Sequence, residues 1–147
     1  MTAVTQESLR VFVVEVLQAM GLSREDADIF GDALIFSELR FHPGHGQGVK
    51  KLRRYQKRFS QGLFDPGALW EIVKESPALA LVDAHNGLGT VAAARAMQLA
   101  IEKAKVCGIG QVVVRNSTHF GSSAVHACLA AEAGCIGIAF TNAGPEM

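Results

Sequence analysis

Leu9, Phe12, Val13, Val16, Leu17 and Met20 recur at intervals of three and four residues, and Gly21 follows them. This spacing predicts a helix with one apolar face and a glycine stop. Ser23 then stands where a second helix needs a cap, with Asp26 three residues on as a weaker capping box. Ala27, Phe30, Ala33, Leu34 and Phe36 give that helix its apolar side. One proline and three glycines in "FHPGHGQG", residues 41–48, interrupt the pattern. A third helix follows, with Val49, Leu52, Tyr55 and Phe59 inward, and it ends near Gly62 and Pro66. From Trp70 the period changes. "WEIVKE" alternates like an exposed edge strand, and "ALALVD" reads as a more buried one. Residues 88–106 are alanine-rich and helical, "GIGQVVVRN" predicts a buried strand, 122–133 a short helix, and "CIGIAFTN" a last buried strand. Strand, helix, strand, helix, strand is the order of a parallel α/β unit. The fold class expected is therefore α/β, with a helical segment over residues 1–66 and an α/β segment over 67–147.

Composition narrows the class of function. At 49% hydrophobic and 19% charged residues the chain is globular, not disordered. Its 147 residues suffice for one domain with a real core. The formal net charge is zero, which argues against a generic polyanion binder. The charge is unevenly placed, however: Glu25, Asp26, Asp28, Asp32 and Glu38 precede a basic run of Lys50, Lys51, Arg53, Arg54, Lys57 and Arg58. Only Tyr55 and Phe59 interleave that run, and both fit the apolar stripe, so nucleic acid is not an expected partner. Cys107, Cys128 and Cys135 have no CxxC spacing and sit in apolar segments, which reads as reduced, buried thiols in a cytoplasmic protein. No apolar run approaches the roughly 18 residues that a bilayer requires, and "MTAVTQESLR" lacks the apolar core of a signal peptide. No membrane partner is expected.

Four stretches could carry chemistry. "NGLG", residues 86–89, suggests a dinucleotide loop, but Ala92 replaces the third glycine and no acidic residue follows on the next strand tip. A tight strand-to-helix turn explains it better. His42 and His45 in "HPGH" have no third ligand nearby, so no metal site is expected, although a histidine between glycines is well placed for a substrate. The basic run is a solvated helix face, or supplies one cation for a substrate carboxylate. The fourth is "RNSTHFGSS", residues 115–123, at the C-terminal end of a strand, where open α/β sheets bind ligands. His119 is either a packing histidine or a reactive one, and "GSS" opens a helix whose N–H groups could hold an anion. His126, inside that helix, is set aside as structural. Without a G-x-S-x-G elbow, a serine hydrolase is not indicated.

The motifs D-x-x-x-G-x-G from Asp83 to Gly89, R-N-S-x-H-F-G from Arg115 to Gly121, and T-N at Thr141 and Asn142 occur in one order and spacing. With "GHGQGVKKLRRY" at 44–55, the chain resembles the malate/L-lactate dehydrogenase family of the non-Rossmann type. Ureidoglycolate, sulfolactate and diketogulonate enzymes are its relatives. The resemblance implies that family's own fold of helices and a mixed sheet, a dimer, and hydride transfer between NAD or NADP and a 2-hydroxy or 2-oxo acid. It implies His119 as acid/base, with His45 as its partner or the alternative base. It also implies substrate contacts from Lys51, Arg54, Tyr55 and Ser117, and cofactor contacts from Gly121, Thr141 and Asn142. Two departures stand out. Gly44 replaces the family's serine, and two extra residues after Gly46 put Lys51 at the position of the carboxylate-binding arginine, with Arg53 or Arg54 as alternatives. Lysine offers a point charge where arginine offers a fork.

Family members continue well past the T-N motif, so the expectation is an N-terminal portion. It is then a truncated product, one half of a split enzyme that needs a complementing C-terminal half, or a fragment. The contrasting account is a remnant that folds or dimerises without turnover.

Overall fold

Thr5 caps the first helix, and Ser23 starts the second as the sequence implies. The Thr5 hydroxyl accepts from the Ser8 N–H at 3.2 Å and that of Ser23 from the Asp26 N–H at 3.1 Å. The structure, a computed structural model, describes residues 3–40 and 48–142. Helix α1 (Gln6–Ala19) and helix α2 (Arg24–Leu39) pack through Val13, Val14 and Leu17 against Ala27, Phe30 and Leu34. Arg10 binds Asp28 at 3.1 Å and also Asp32, so part of the acidic stretch is consumed in joining the two helices. A 3-10 turn (Val49–Lys51) leads into α3 (Leu52–Ser60), which buries Leu52 and Tyr55.

The sheet has strands β1 (Glu71–Glu75), β2 (Leu79–Gly87) and β3 (Gln111–Ser117) in that order, β1 antiparallel and β3 parallel to β2. Strand β1 is exposed along its length, as its edge-strand pattern implied. Helix α4 (Gly89–Cys107) crosses from β2 to β3, and α5 (Ser123–Glu132) packs beside it. Leu88 and Val91 join the core of the helical part, so the two halves share packing. Arg95 reinforces the junction by reaching Asp26 of α2 at 2.8 Å.

Three expectations need correction. Residues 135–142 form no strand. They run extended past α5, with Gly137 against Ala127 and Ala130, while Ile136, Ile138 and Phe140 are 94%, 75% and 81% exposed. The period of two is present, but among the described residues no strand pairs with it. Strand β3 is likewise not buried. Val112 and Val114 are half-covered, and Val113 is exposed because nothing among the described residues covers its face. The thiols are free but not buried: Cys107 is exposed, Cys128 and Cys135 intermediate. No helix of the described residues is long and apolar enough to cross a membrane.

Candidate functional site

The C-terminal ends of β2 and β3 carry the densest polar network of the α/β half. Their register holds from Leu79 opposite Gln111 to Asp83 opposite Arg115 and resumes at Gly87 opposite Ser117. Strand β2 thus spends four residues where β3 spends two, and the surplus is a bulge. His85 and Asn86 in the bulge, and Asn116 across from it, have φ of 44°, 65° and 52°. Left-handed non-glycine residues carry a local cost. Here His85 and Asn116 are held by Asp83, whose side chain is only 6% exposed. Its carboxylate accepts from the His85 N–H at 2.9 Å, Arg115 Nε at 2.9 Å and Asn116 Nδ2 at 2.8 Å. Those bonds, the His85 N–H first, hold its pKa below the usual carboxylate value. The bulge is tied to its surroundings as well: His85 Nε2 meets Glu71 at 2.7 Å, and the Asn86 amide donates to the Leu63 carbonyl at 3.3 Å.

Residues 117–121 leave this platform under tight control. The Thr118 hydroxyl accepts from the Gly89 N–H at 3.0 Å and donates to the Gly87 carbonyl at 3.2 Å. A Cβ at Gly89 would lie 1.9 Å from the Thr118 carbonyl oxygen, so the turn and the loop are in direct backbone contact. Gly89 of "NGLG" therefore serves this close approach, which agrees with reading the stretch as a strand-to-helix turn. His119 follows, exposed, with its Nδ1 accepting from the Gly121 N–H at 3.1 Å. That bond places the neutral ring's proton on Nε2. Gly121 has φ +83° and faces Thr90 of α4. The next residue, Ser122, caps α5 without a side-chain hydrogen bond.

Ser117, His119 and Gly121 are thus brought together on one braced loop. Lys51, half-buried on the 3-10 turn, and Arg54, exposed on α3, belong to the helical part. Tyr55 is in the core: its ring meets Phe30 edge-on at 4.8 Å and Phe64 at 6.2 Å, and burial raises its pKa. A substrate contact from Tyr55 would need this packing to open. Thr141 and Asn142 are exposed at the end of the extended segment. His45 lies outside the described residues.

Two residues beside the loop escaped the sequence reading. Asp83 was visible as the first letter of its motif, but nothing local says that its carboxylate turns inward. His126 is fully buried in α5, with Nε2 2.8 Å from the Phe120 carbonyl and its ring stacked on Phe120. Its signal was an imidazole on an otherwise apolar helix face. A cavity of about 440 Å³ between α2, α4 and α5 is lined by Phe36, Arg95, His126 and Leu129 among others, and by none of the sequence-predicted site residues. Among the described residues no group of three or more His, Cys, Asp or Glu side chains converges as a metal site.

Comparison with known proteins adds a family. A model described as malate/L-lactate dehydrogenase matches residues 4–147. Malate dehydrogenase of Pyrococcus horikoshii is 42% identical over 142 residues, which are 97% of this chain and 39% of that protein. L-sulfolactate dehydrogenase of Methanocaldococcus jannaschii is 38% identical over 141 residues, 96% of this chain and 40% of the relative. In three dimensions the chain is similar to the Pyrococcus horikoshii malate dehydrogenase structure, with a TM-score of 0.85 at 40% identity, over 90% of this chain and 38% of that one. A malate dehydrogenase structure from Entamoeba histolytica gives 0.84 at 37% identity, over 91% and 37%. The chain spans about two-fifths of the length of these relatives.

Proposed function

The chain belongs to the malate/L-lactate dehydrogenase family, and from that premise we propose that it provides the proton-handling part of an oxidoreductase site for a small 2-hydroxy or 2-oxo acid. The observation that carries this is the loop at 117–121: an exposed imidazole fixed between a clamped threonine and a left-handed glycine. Imidazole titrates near neutrality, at a pKa of about 6.5, and so suits a proton exchanged with the C2 oxygen. With Nδ1 engaged by Gly121, the Nε2–H of the neutral ring hydrogen-bonds a 2-oxo oxygen. In the reducing direction the transferred proton comes from the doubly protonated ring, which has released the Gly121 N–H and returns to neutral imidazole. In the oxidising direction the ring gives up that bond to accept the hydroxyl proton, or leaves it to His45, the alternative base. Ser117, beside it, is proposed to bind the same acid. Lys51, with Arg54 as an alternative, is the proposed carboxylate cation, and Tyr55 joins them only if α3 loosens.

When bound, NAD or NADP supplies the nicotinamide ring that exchanges hydride with C2. The described residues fit its small polar end better than its phosphates. The N-terminal turn of α4, where many α/β folds seat a pyrophosphate, is closed by Thr118. Gly121, Thr141 and Asn142 are the proposed contacts of the ring, and the phosphates find theirs elsewhere. Because positioning supplies most of a dehydrogenase's rate, and the chain spans 39% of the Pyrococcus horikoshii malate dehydrogenase, catalysis is proposed to need a complementing C-terminal half. Homodimerisation through the exposed face at 136–140 is the second reading, that of a non-catalytic association module.

Absorbance assays with NADH or NADPH and a panel of 2-oxo acids test the proposal. The expected result is no turnover by the chain alone, and turnover on adding the C-terminal remainder of a relative. His119→Ala should lower that turnover about a hundredfold or more, the usual scale of general acid–base catalysis. Turnover that is indifferent to His119→Ala would falsify the assignment.

A further inference from the structure

Phe120 stands between His119 and Gly121, and its carbonyl is gripped from α5. We infer that His126 is a positioning residue: from its buried place in the helix it holds the Phe120 carbonyl and ring, and so fixes where His119 stands. The inference rests on the reading of His119 given above.

A carbonyl oxygen only accepts, so His126 Nε2, 2.8 Å away, carries the proton and donates. The ring is 0% exposed and stacks on Phe120 with centroids 5.1 Å apart and 29° between planes. Its other nitrogen, Nδ1, is buried with no hydrogen-bond partner among the described residues. That arrangement is costly for a packing residue, because a benzene ring would fill the space without an orphaned acceptor. The one polar return on the imidazole is the bond to Phe120. Burial also pushes the His126 pKa down, against the Phe120 bond, which keeps the ring neutral with a single N–H.

The geometry makes this bond matter for the neighbour. Thr118 is fixed to the turn at Gly87 and Gly89 on one side of His119. On the other side the chain must reach Gly121 at φ +83° before entering α5. The His126 bond adds a separate hold on Phe120 beside the Thr118 bonds and the Gly121 contact to His119. With it, the residue on each side of His119 is anchored to a helix or a strand end.

The test uses the full chain, isotope-labelled for nuclear magnetic resonance, with His126→Phe and His126→Gln. Phenylalanine keeps ring and stacking but has no donor, whereas glutamine restores an N–H. The expected result for His126→Phe is a melting temperature equal to or above wild type. The Thr118 and Gly121 amides, however, should exchange about three- to tenfold faster, the factor that one neutral hydrogen bond is worth. The Ala92 amide, bonded to Leu88 in α4, should not change. The His119 Cε1–H resonance should move towards that of free imidazole, and His126→Gln should recover part of each effect. Wild-type exchange and an unmoved His119 resonance in His126→Phe would overturn the inference. So would loosening in which Ala92 and the melting temperature fall in step, because that is a packing role. No readout requires turnover, so failure here leaves the reading of His119 intact, and failure of the assay leaves this measurement standing.

Discussion

Asp83 shows how one carboxylate organises two strand ends. It is nearly buried, and its donors are a backbone N–H at the bulge and two side chains on β3. Asn116, one of those donors, takes φ 52° immediately before Ser117, so the carboxylate sets the direction in which the chain leaves the sheet. Because its folded pKa is depressed, the stability it adds is present above the unfolded value of about 3.9 and is lost as the pH falls through the folded pKa. Asp83→Asn should therefore lower the melting temperature at neutral pH, with the gap to wild type closing below about pH 4. Thermal melts of both proteins across that range check this; a gap that persists unchanged in acid would show that the charge is not the cause. A glycine at 116 would adopt the left-handed conformation without strain, so Asn116→Gly should soften the penalty.

At the scale of elements, the junction between β2 and α4 and the loop after β3 form one unit. The turn "NGLG" was legible as a tight strand-to-helix connection, and so it is. What it packs against was not legible, because Thr118 lies 29 residues from Gly89 along the chain. Gly89→Ala would put a methyl group against the Thr118 carbonyl and should cost about 1–3 kcal/mol, as overpacking does. Urea unfolding of the variant measures this, and a loss below a few tenths of a kcal/mol would mean that the loop swings aside freely. The helices followed their periodicity and caps closely. The segment at 135–142 did not become the strand its alternation predicted, since a strand is defined by a partner and none lies beside it among the described residues.

For the whole molecule, the consequence is an apolar surface left exposed among the described residues. Ile136, Ile138 and Phe140 face outward from one extended segment, with Val113 of β3 also exposed. Faces and edges of this kind draw partners. The chain should associate with itself as concentration rises, and Ile136→Ser, Ile138→Ser and Phe140→Ser together should weaken association without lowering the melting temperature. Sedimentation velocity over a concentration series decides: a monomer throughout, or no effect of the three serines, would sink the idea.

The helices, the cap at Ser23 and the order of the first three strands and their helices were determined by local sequence, because hydrogen bonds and apolar faces with periods of 3.6 and 2 are short-range properties. The family, too, was legible, since R-N-S-x-H-F-G and its companion motifs are contiguous. Tertiary structure alone decided which side chains of those motifs do which work. It turned Asp83 inward, spent Gly89 on a backbone contact, and put Tyr55 into the core. It also made His126, set aside as a helix residue, the support of Phe120. Each of these depends on groups brought together from distant parts of the chain or folded back across a turn, and no periodicity in the sequence encodes the direction in which a side chain finds its partner.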